Sequence, residues 1–271
     1  VEASSDRANA MSSAPDSGVT YRVSDRIARI TLNRPPVNAL TLEMVHGVVA
    51  ALKRAAADDA VRAVILTSGV ARRFCAGLDL DMLVSAETEK IRALLQALYL
   101  DLHDAQRALG KPSIAAVGGA ARGGGVTLAI SCDVIIAANS ASFGYPEIDI
   151  GVLPAIHFAH LPRIVGRHRA FELLFSGRSF GAQEAFDLGL VSRPVSDSEL
   201  ATATMELAKT FAAKSPAAMR LGRGAFMRQN NDDERKRFAD AVDDFCQAAS
   251  SAAAREGIRA FIEKRKPNWQ D

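Results

Sequence analysis

The chain has 271 residues, of which 48% are hydrophobic and 24% charged, and its formal net charge is only +2. That composition supports a globular protein with a sizeable core, and so small and dispersed a charge argues against nucleic acid or an anionic membrane as a partner. Three cysteines at unrelated spacings suggest neither a disulfide framework nor a metal site, and no apolar run approaches the roughly 20 residues that span a bilayer, so a cytoplasmic location is expected.

Residues 1–18, rich in Ser, Ala and Asp, read as a disordered tail, with Met11 a candidate native start. Strands are expected at 21–23 and 27–32, ended by Asn33-Arg34-Pro35-Pro36. Thr41 opens a helix whose apolar face is Val45, Val48, Val49 and Leu52. The β-branched run at 61–67 has the character of a buried strand. A longer helix is expected over 87–109, with Ile91, Leu94, Leu95, Leu98 and Leu102 on one side, and Lys111-Pro112 stops it. There follow a strand at 113–117, a glycine-dense loop at 118–125, a short helix at 126–131, strands at 134–137 and 142–144, and a loop at 145–154. Helical patterns dominate from Ala155, interrupted by a strand near 190–193. Strands alternating with helices, then helices alone, predict an α/β core over 19–210 and a helical C-terminal region over 211–271.

Two strand-to-helix junctions are built from small residues: Phe74-Cys75-Ala76-Gly77-Leu78-Asp79 and Arg122-Gly123-Gly124-Gly125. Each is either a tight turn or a place where backbone N–H groups approach a ligand, since the first N–H groups of a helix lack internal partners. Two of them converging on one oxygen would form an oxyanion hole.

The segments LNRPPVNAL (32–40), VILTS (64–68), FCAGLDL (74–80), IAAVGGAARGGG (114–125), SCDVIIAANSASFGYPEIDIGVLP (131–154) and GRHRAFELLFSGRSFGAQEAFDLGLV (166–191) together resemble the crotonase family of enoyl-CoA hydratases and isomerases. The resemblance implies a spiral of repeated β-β-α units and a helical tail that builds trimers, often paired into hexamers. It implies an acyl-coenzyme A substrate, with the coenzyme part of the substrate and no other cofactor. By the same resemblance Leu78 and Gly124 supply the oxyanion N–H groups, the carbonyls of Cys75 and Ala76 face the adenine, Arg34 contacts the nucleotide, and Arg72 or Arg73 adds phosphate contacts. For each arginine a solvated surface position is the alternative.

Hydratases of this family orient a water with two glutamates. The second matches Glu147, but the first falls on Thr127, and Ala155 replaces a glycine that helps hold the water. A threonine hydroxyl is neither acid nor base near neutral pH. One carboxylate is enough to move a double bond from the 3 to the 2 position, and the stretch from Pro35 to Glu43 together with VILTS and AGLDL resembles Δ3,Δ2-enoyl-CoA isomerases; isomerisation by Glu147, with its pKa raised by apolar neighbours, is the expected reaction. Hydration with Asp149 as a further acid, acyl-CoA hydrolysis, and catalytically silent binding of acyl-CoA or RNA are the alternatives. Asp79 is expected to cap a helix, His157 and His160 to be structural or to line the acyl pocket, and Cys75 not to be a nucleophile. Pocket size is expected to depend on 82–105 and 156–161.

Overall fold

Residues 17–80, 88–231 and 233–268 are described by a computed structural model of the chain. Most of the expected tail, and the first residue of the helix expected over 87–109, lie outside the described residues.

Among the described residues, ten strands form two sheets. The larger has the order β1-β2-β3-β5-β7-β10: Val19–Ser24, Ile27–Leu32, Ala63–Ser68, Ser113–Val117, Val134–Ala138 and Arg193–Val195. Only the β1–β2 hairpin is antiparallel, its turn made by Asp25 and Arg26 with positive φ; every other neighbour in this sheet is parallel. The smaller sheet has the order β4-β6-β8-β9: Arg73–Cys75, Ala120–Arg122, Ser142–Gly144 and Ser179–Gly181. From β3 to β8 the chain alternates between the sheets, giving one strand to each before a helix follows, which makes successive β-β-α turns of a spiral. Parallel strands covered on both faces need continuous apolar sequence, and Ser113–Val117 is buried throughout.

Three-residue strands are too short to show alternation. Beta-4 and β6 therefore read as loops in the sequence, and β9 does not register there at all. Beta-10 begins at Arg193, where the expected strand ended.

Helix α1 (Leu42–Ala57) starts as its sequence dictates, with the Thr41 hydroxyl accepting from the Met44 N–H. Its other end is held from a distance: Lys111 Nζ donates to the carbonyls of Ala55, Ala56 and Asp58, a cation against the negative end of the helix dipole. The long helix is α2 (Thr88–Gln96) and α3 (Leu102–Ala108) joined by a π turn at Ala97–Asp101. Helix α4 is Gly124–Ile130, α5 is Ala155–Val165, α6 is Arg167–Ser176 and α7 is Ala182–Asp187. The remaining helices are α8 (Leu200–Ala212), α9 (Pro216–Asn231), α10 (Glu234–Ala249) and α11 (Ala252–Ile262). None of the described helices is long and apolar enough to cross a membrane.

The main core cluster runs from Ala28 on β2 to Phe238, Val242 and Phe245 on α10 and Ile258 on α11, so the last helices share the core of the spiral. Helix α11 lies against the loop after β8 with almost no clearance. A Cβ on Gly257 would stand 2.5 Å from the Ile150 carbonyl oxygen, and one on Gly151 would meet the Ala253 carbonyl at 2.8 Å. This loop carries Glu147. Gly257→Ala is expected to destabilise the protein by about 1–3 kcal/mol through overpacking and to lower turnover by pushing the loop away. Urea unfolding and kcat, measured together, check it; unchanged values of both would mean that α11 does not hold the loop.

Candidate active site

Four segments meet here: the loop 33–40, the junction 75–79, the N-terminus of α4 and the 3-10 turn Pro146–Ile150. The first is fastened by Asn38, which has positive φ and is fully buried. Its side chain donates to the Phe74 carbonyl and Ser68 hydroxyl and accepts from the Arg34 N–H. Arg34 then binds the Ala39 carbonyl and forms an ion pair with Asp79 at 2.8 Å. Asp79, expected as a helix cap, thus also ties this loop to the junction; the residues it would cap, 81–87, lie outside those described.

Between loop and junction, Leu40 N–H donates to the Gly77 carbonyl and Asp79 N–H donates to the Leu40 carbonyl. The Leu78 N–H takes no part in this bridge, which uses the Gly77 carbonyl and the Asp79 N–H. The two junctions touch: a Cβ on Gly77 would lie 2.9 Å from the Arg122 carbonyl oxygen and 3.6 Å from the Gly124 nitrogen. Gly124 is the first residue of α4, where the N–H has no acceptor within the helix, and its Cα is packed by Leu40, Leu78 and Leu98.

The Glu147 carboxylate stands directly over Gly123. A Cβ there would be 2.1 Å from Oε1 and 2.8 Å from Cδ, and Gly123 has φ +45°. Only glycine fits both requirements. Glu147 as a residue is half-buried, but its Oε2 is out of contact with solvent and has no hydrogen-bond partner. Burial pushes its pKa up to about 7, with the charge of Asp149 adding to the effect and a bond from its own backbone N–H opposing it. Asp149 itself is exposed and its carboxyl lies against Gly177, at the end of α6. It is not gathered with Glu147 as a second acid.

Thr127, where a second carboxylate was sought, is buried one turn into α4 and lies 3.4 Å from His157 Nε2. His157 also meets the Gly123 carbonyl at 3.3 Å and His160 at 3.0 Å, and its ring packs on Tyr145 at 4.4 Å. Burial lowers the pKa of both histidines, His160 to about 4 and His157 well below its ordinary value, so both are neutral near pH 7. Their spacing of three on a helix signalled that they share a face; that they stand behind Gly123 has no signal in the sequence. No group of three or more His, Cys, Asp and Glu among the described residues could hold a metal ion.

Cys75 is fully buried, its thiol donates to the Asn38 carbonyl, and burial pushes its pKa up to about 12, which makes it a poor nucleophile. A Cβ on Gly125 would fall 2.3 Å from the Cys75 carbonyl oxygen. That carbonyl thus packs against the first turn of α4, while Ala76, next along, is exposed. Arg72 and Arg73 are exposed at the entry to β4.

A cavity of about 990 Å³ lies beside the site, walled by Leu98, Tyr99, Thr127, Ile130, His160 and Phe238 among others. Glu147, Leu78 and Gly124 are not in its walls. Leu98, whose Cδ2 would be 3.1 Å from a Cβ on Gly124, and Thr127 form the partition between them. Leu98 sits in the π turn, a distortion frequently found at functional sites.

The family model described as enoyl-CoA hydratase/isomerase matches residues 22–271. A probable enoyl-CoA hydratase of Bacillus subtilis is 34% identical over 261 residues, covering 93% of this chain and 98% of its own. A crotonyl-CoA hydratase of Syntrophomonas wolfei is 34% identical over 250 residues, covering 90% and 95%. Among solved structures, an enoyl-CoA hydratase/isomerase of Pseudoalteromonas atlantica superposes with a TM-score of 0.83 at 29% identity, covering 93% of this chain and 100% of the other.

Proposed function

The chain belongs to the enoyl-CoA hydratase/isomerase family, and from that premise we propose that it moves the double bond of a 3-enoyl-CoA to the 2 position with Glu147 as its single base. The thioester oxygen accepts hydrogen bonds from the N–H groups of Leu78 and Gly124. Glu147 takes a proton from C2, the electrons pass into the thioester as a dienolate, and the same carboxyl returns a proton to C4. The C2–H bond breaks, a C4–H bond forms, and no water enters. One observation carries this reading: Glu147 stands over Gly123, and among the described residues neither candidate for a second acid faces it, Thr127 being paired with a neutral histidine and the Asp149 carboxyl lying against Gly177.

The nucleotide end of the coenzyme then lies along Ala76 with Arg34, Arg72 and Arg73, and the acyl chain runs past Leu98 and Thr127 into the neighbouring cavity. Assembly as a trimer or hexamer fits helix α9, which exposes Leu221 and Phe226.

Hydration is the second reading, favoured by the names of the relatives. Giving the purified protein a 3-enoyl-CoA and a 2-enoyl-CoA separately decides between them. Conversion of the first to its 2-enoyl isomer at unchanged mass supports the proposal. Addition of water to the second, with no isomerisation of the first, overturns it.

A base must be deprotonated to act. With the pKa of Glu147 raised to about 7, kcat/KM is expected to rise with pH and level off above about 7. A profile flat from pH 5 to 8 would exclude Glu147 as the titrating base.

A further inference from the structure

The Gly123 carbonyl and the Gly124 N–H belong to one peptide group, and that group is bonded on its oxygen side by three donors. Val126 N–H reaches the oxygen at 2.8 Å, Thr127 N–H at 3.1 Å and His157 Nε2 at 3.3 Å. The first two are turns of α4 itself. The third comes from a different helix, α5, through the side chain of His157.

A carbonyl oxygen can only accept, so the contact requires the hydrogen of His157 to be on Nε2. Nδ1 is then bare and accepts from His160 Nε2–H at 3.0 Å. The Thr127 hydroxyl, 3.4 Å from the same Nε2, can take a share of that hydrogen and keep its own for the cavity. In this tautomer the order of donation runs from His160 to His157 to Gly123; with the hydrogen on Nδ1 instead, Thr127 would donate to Nε2 and the Gly123 carbonyl would lose this donor. Both rings are buried, with Tyr145 packed on His157, Phe238 packed on His160 and the two rings edge-to-face on one another.

We propose that His157 is a positioning residue of the oxyanion hole, which by donating Nε2–H to the Gly123 carbonyl polarises the Gly123–Gly124 peptide and strengthens the Gly124 N–H as a donor to the thioester oxygen. The peptide bond shares its electrons between oxygen and nitrogen; a donor on the oxygen draws density from the nitrogen and leaves its hydrogen more positive, the cooperative effect known in chains of hydrogen bonds. The gain is largest when the thioester oxygen carries most charge, so it acts on the enolate more than on bound substrate. The same bond keeps the plane of this peptide from turning at the mobile φ of a glycine. This rests on the reading that the Gly124 N–H meets the thioester oxygen.

The test uses butyryl-CoA carrying ¹³C at the thioester carbonyl, a saturated ligand that cannot isomerise. Its carbonyl stretch is recorded by infrared difference spectroscopy free and bound to wild type, His157→Leu and His157→Gln; the glutamine amide can place an N–H where Nε2 stands. Wild type should lower the frequency, His157→Leu should lose part of that shift, and His157→Gln should restore it. In turnover, His157→Leu should lower kcat by roughly threefold to tenfold, a fraction of what a whole oxyanion donor contributes, at nearly constant KM. Equal shifts in wild type and His157→Leu would overturn the proposal and leave the hole intact, whereas no shift in wild type would remove the hole itself. Should His157→Leu not fold, ¹⁵N spectra of wild-type histidines still decide: a bare Nε2 on His157 overturns the proposal.

Discussion

Glu147→Gln is expected to lower turnover by roughly 10²–10⁴-fold, the scale of a lost general base, while acyl-CoA binding persists. Glutamine keeps the size and polarity of the side chain and removes only its capacity to take a proton. The same substitution is expected to raise stability. The carboxyl pKa is 4.5 for an ordinary glutamate and about 7 in the folded chain, where burial disfavours the charged form. Between these values the unfolded chain releases its proton before the folded one, so the folded state binds more protons and stability falls as pH rises. The loss begins near pH 4.5, grows to about pH 7, and then stays constant at about 3 kcal/mol. An uncharged glutamine does not suffer it. Denaturation of both proteins at pH 4.5 and pH 8 checks the sign: the advantage of the variant should be small at the lower pH and largest at the higher. A variant less stable than wild type at pH 8 would mean that the carboxylate is solvated in the folded protein. Kinetics and stability thus test one property, the dryness of the site, by independent routes.

What the sequence made legible was set by how far apart the interacting residues are. The capping of α1 by Thr41 and the buried strands 63–68 and 113–117 depend on local pattern, and their positions followed from it. Both small-residue junctions stood out by composition, but the roles expected of them, like that of Glu147, came from family resemblance, because main-chain N–H groups leave no chemical mark on the side chain of a residue such as Leu78. The strands β4 and β6 were not legible, since the residues that shape them are chosen for contact between the junctions; Gly125 is glycine because the Cys75 carbonyl occupies the place of its Cβ. Arg34 with Asp79, and His157 with Gly123, join segments 45 and 34 residues apart, a distance over which periodicity carries no information. The clamp of α11 on the Glu147 loop is of the same kind: Gly257 looks like a weak point in a helix until Ile150 is placed against it.

Gly123→Ala is expected to be nearly as damaging as removing the base, although it adds one methyl group. An alanine Cβ would stand 2.1 Å from Glu147 Oε1, far inside van der Waals contact, and φ +45° with ψ −113° is a sparsely populated conformation that costs an L residue roughly 1–3 kcal/mol. Two relaxations are open, and each removes a different part of the chemistry. If the carboxyl swings aside it becomes hydrated, its pKa falls from about 7 towards the ordinary carboxylate value, and the midpoint of the pH–rate profile falls with it. If instead the Gly123–Gly124 peptide rotates, the carbonyl leaves Val126, Thr127 and His157 and the Gly124 N–H turns away from the thioester. The pH midpoint is then retained and the infrared shift of bound ¹³C-butyryl-CoA is lost. Either way turnover should drop by roughly a hundredfold or more, the loss attached to an oxyanion donor or to a general base. The profile and the spectrum, taken on the same variant, tell which of the two the backbone surrenders first. Turnover within threefold of wild type would mean that Glu147 does not work from its place over Gly123, and the one-base mechanism would fall with that result.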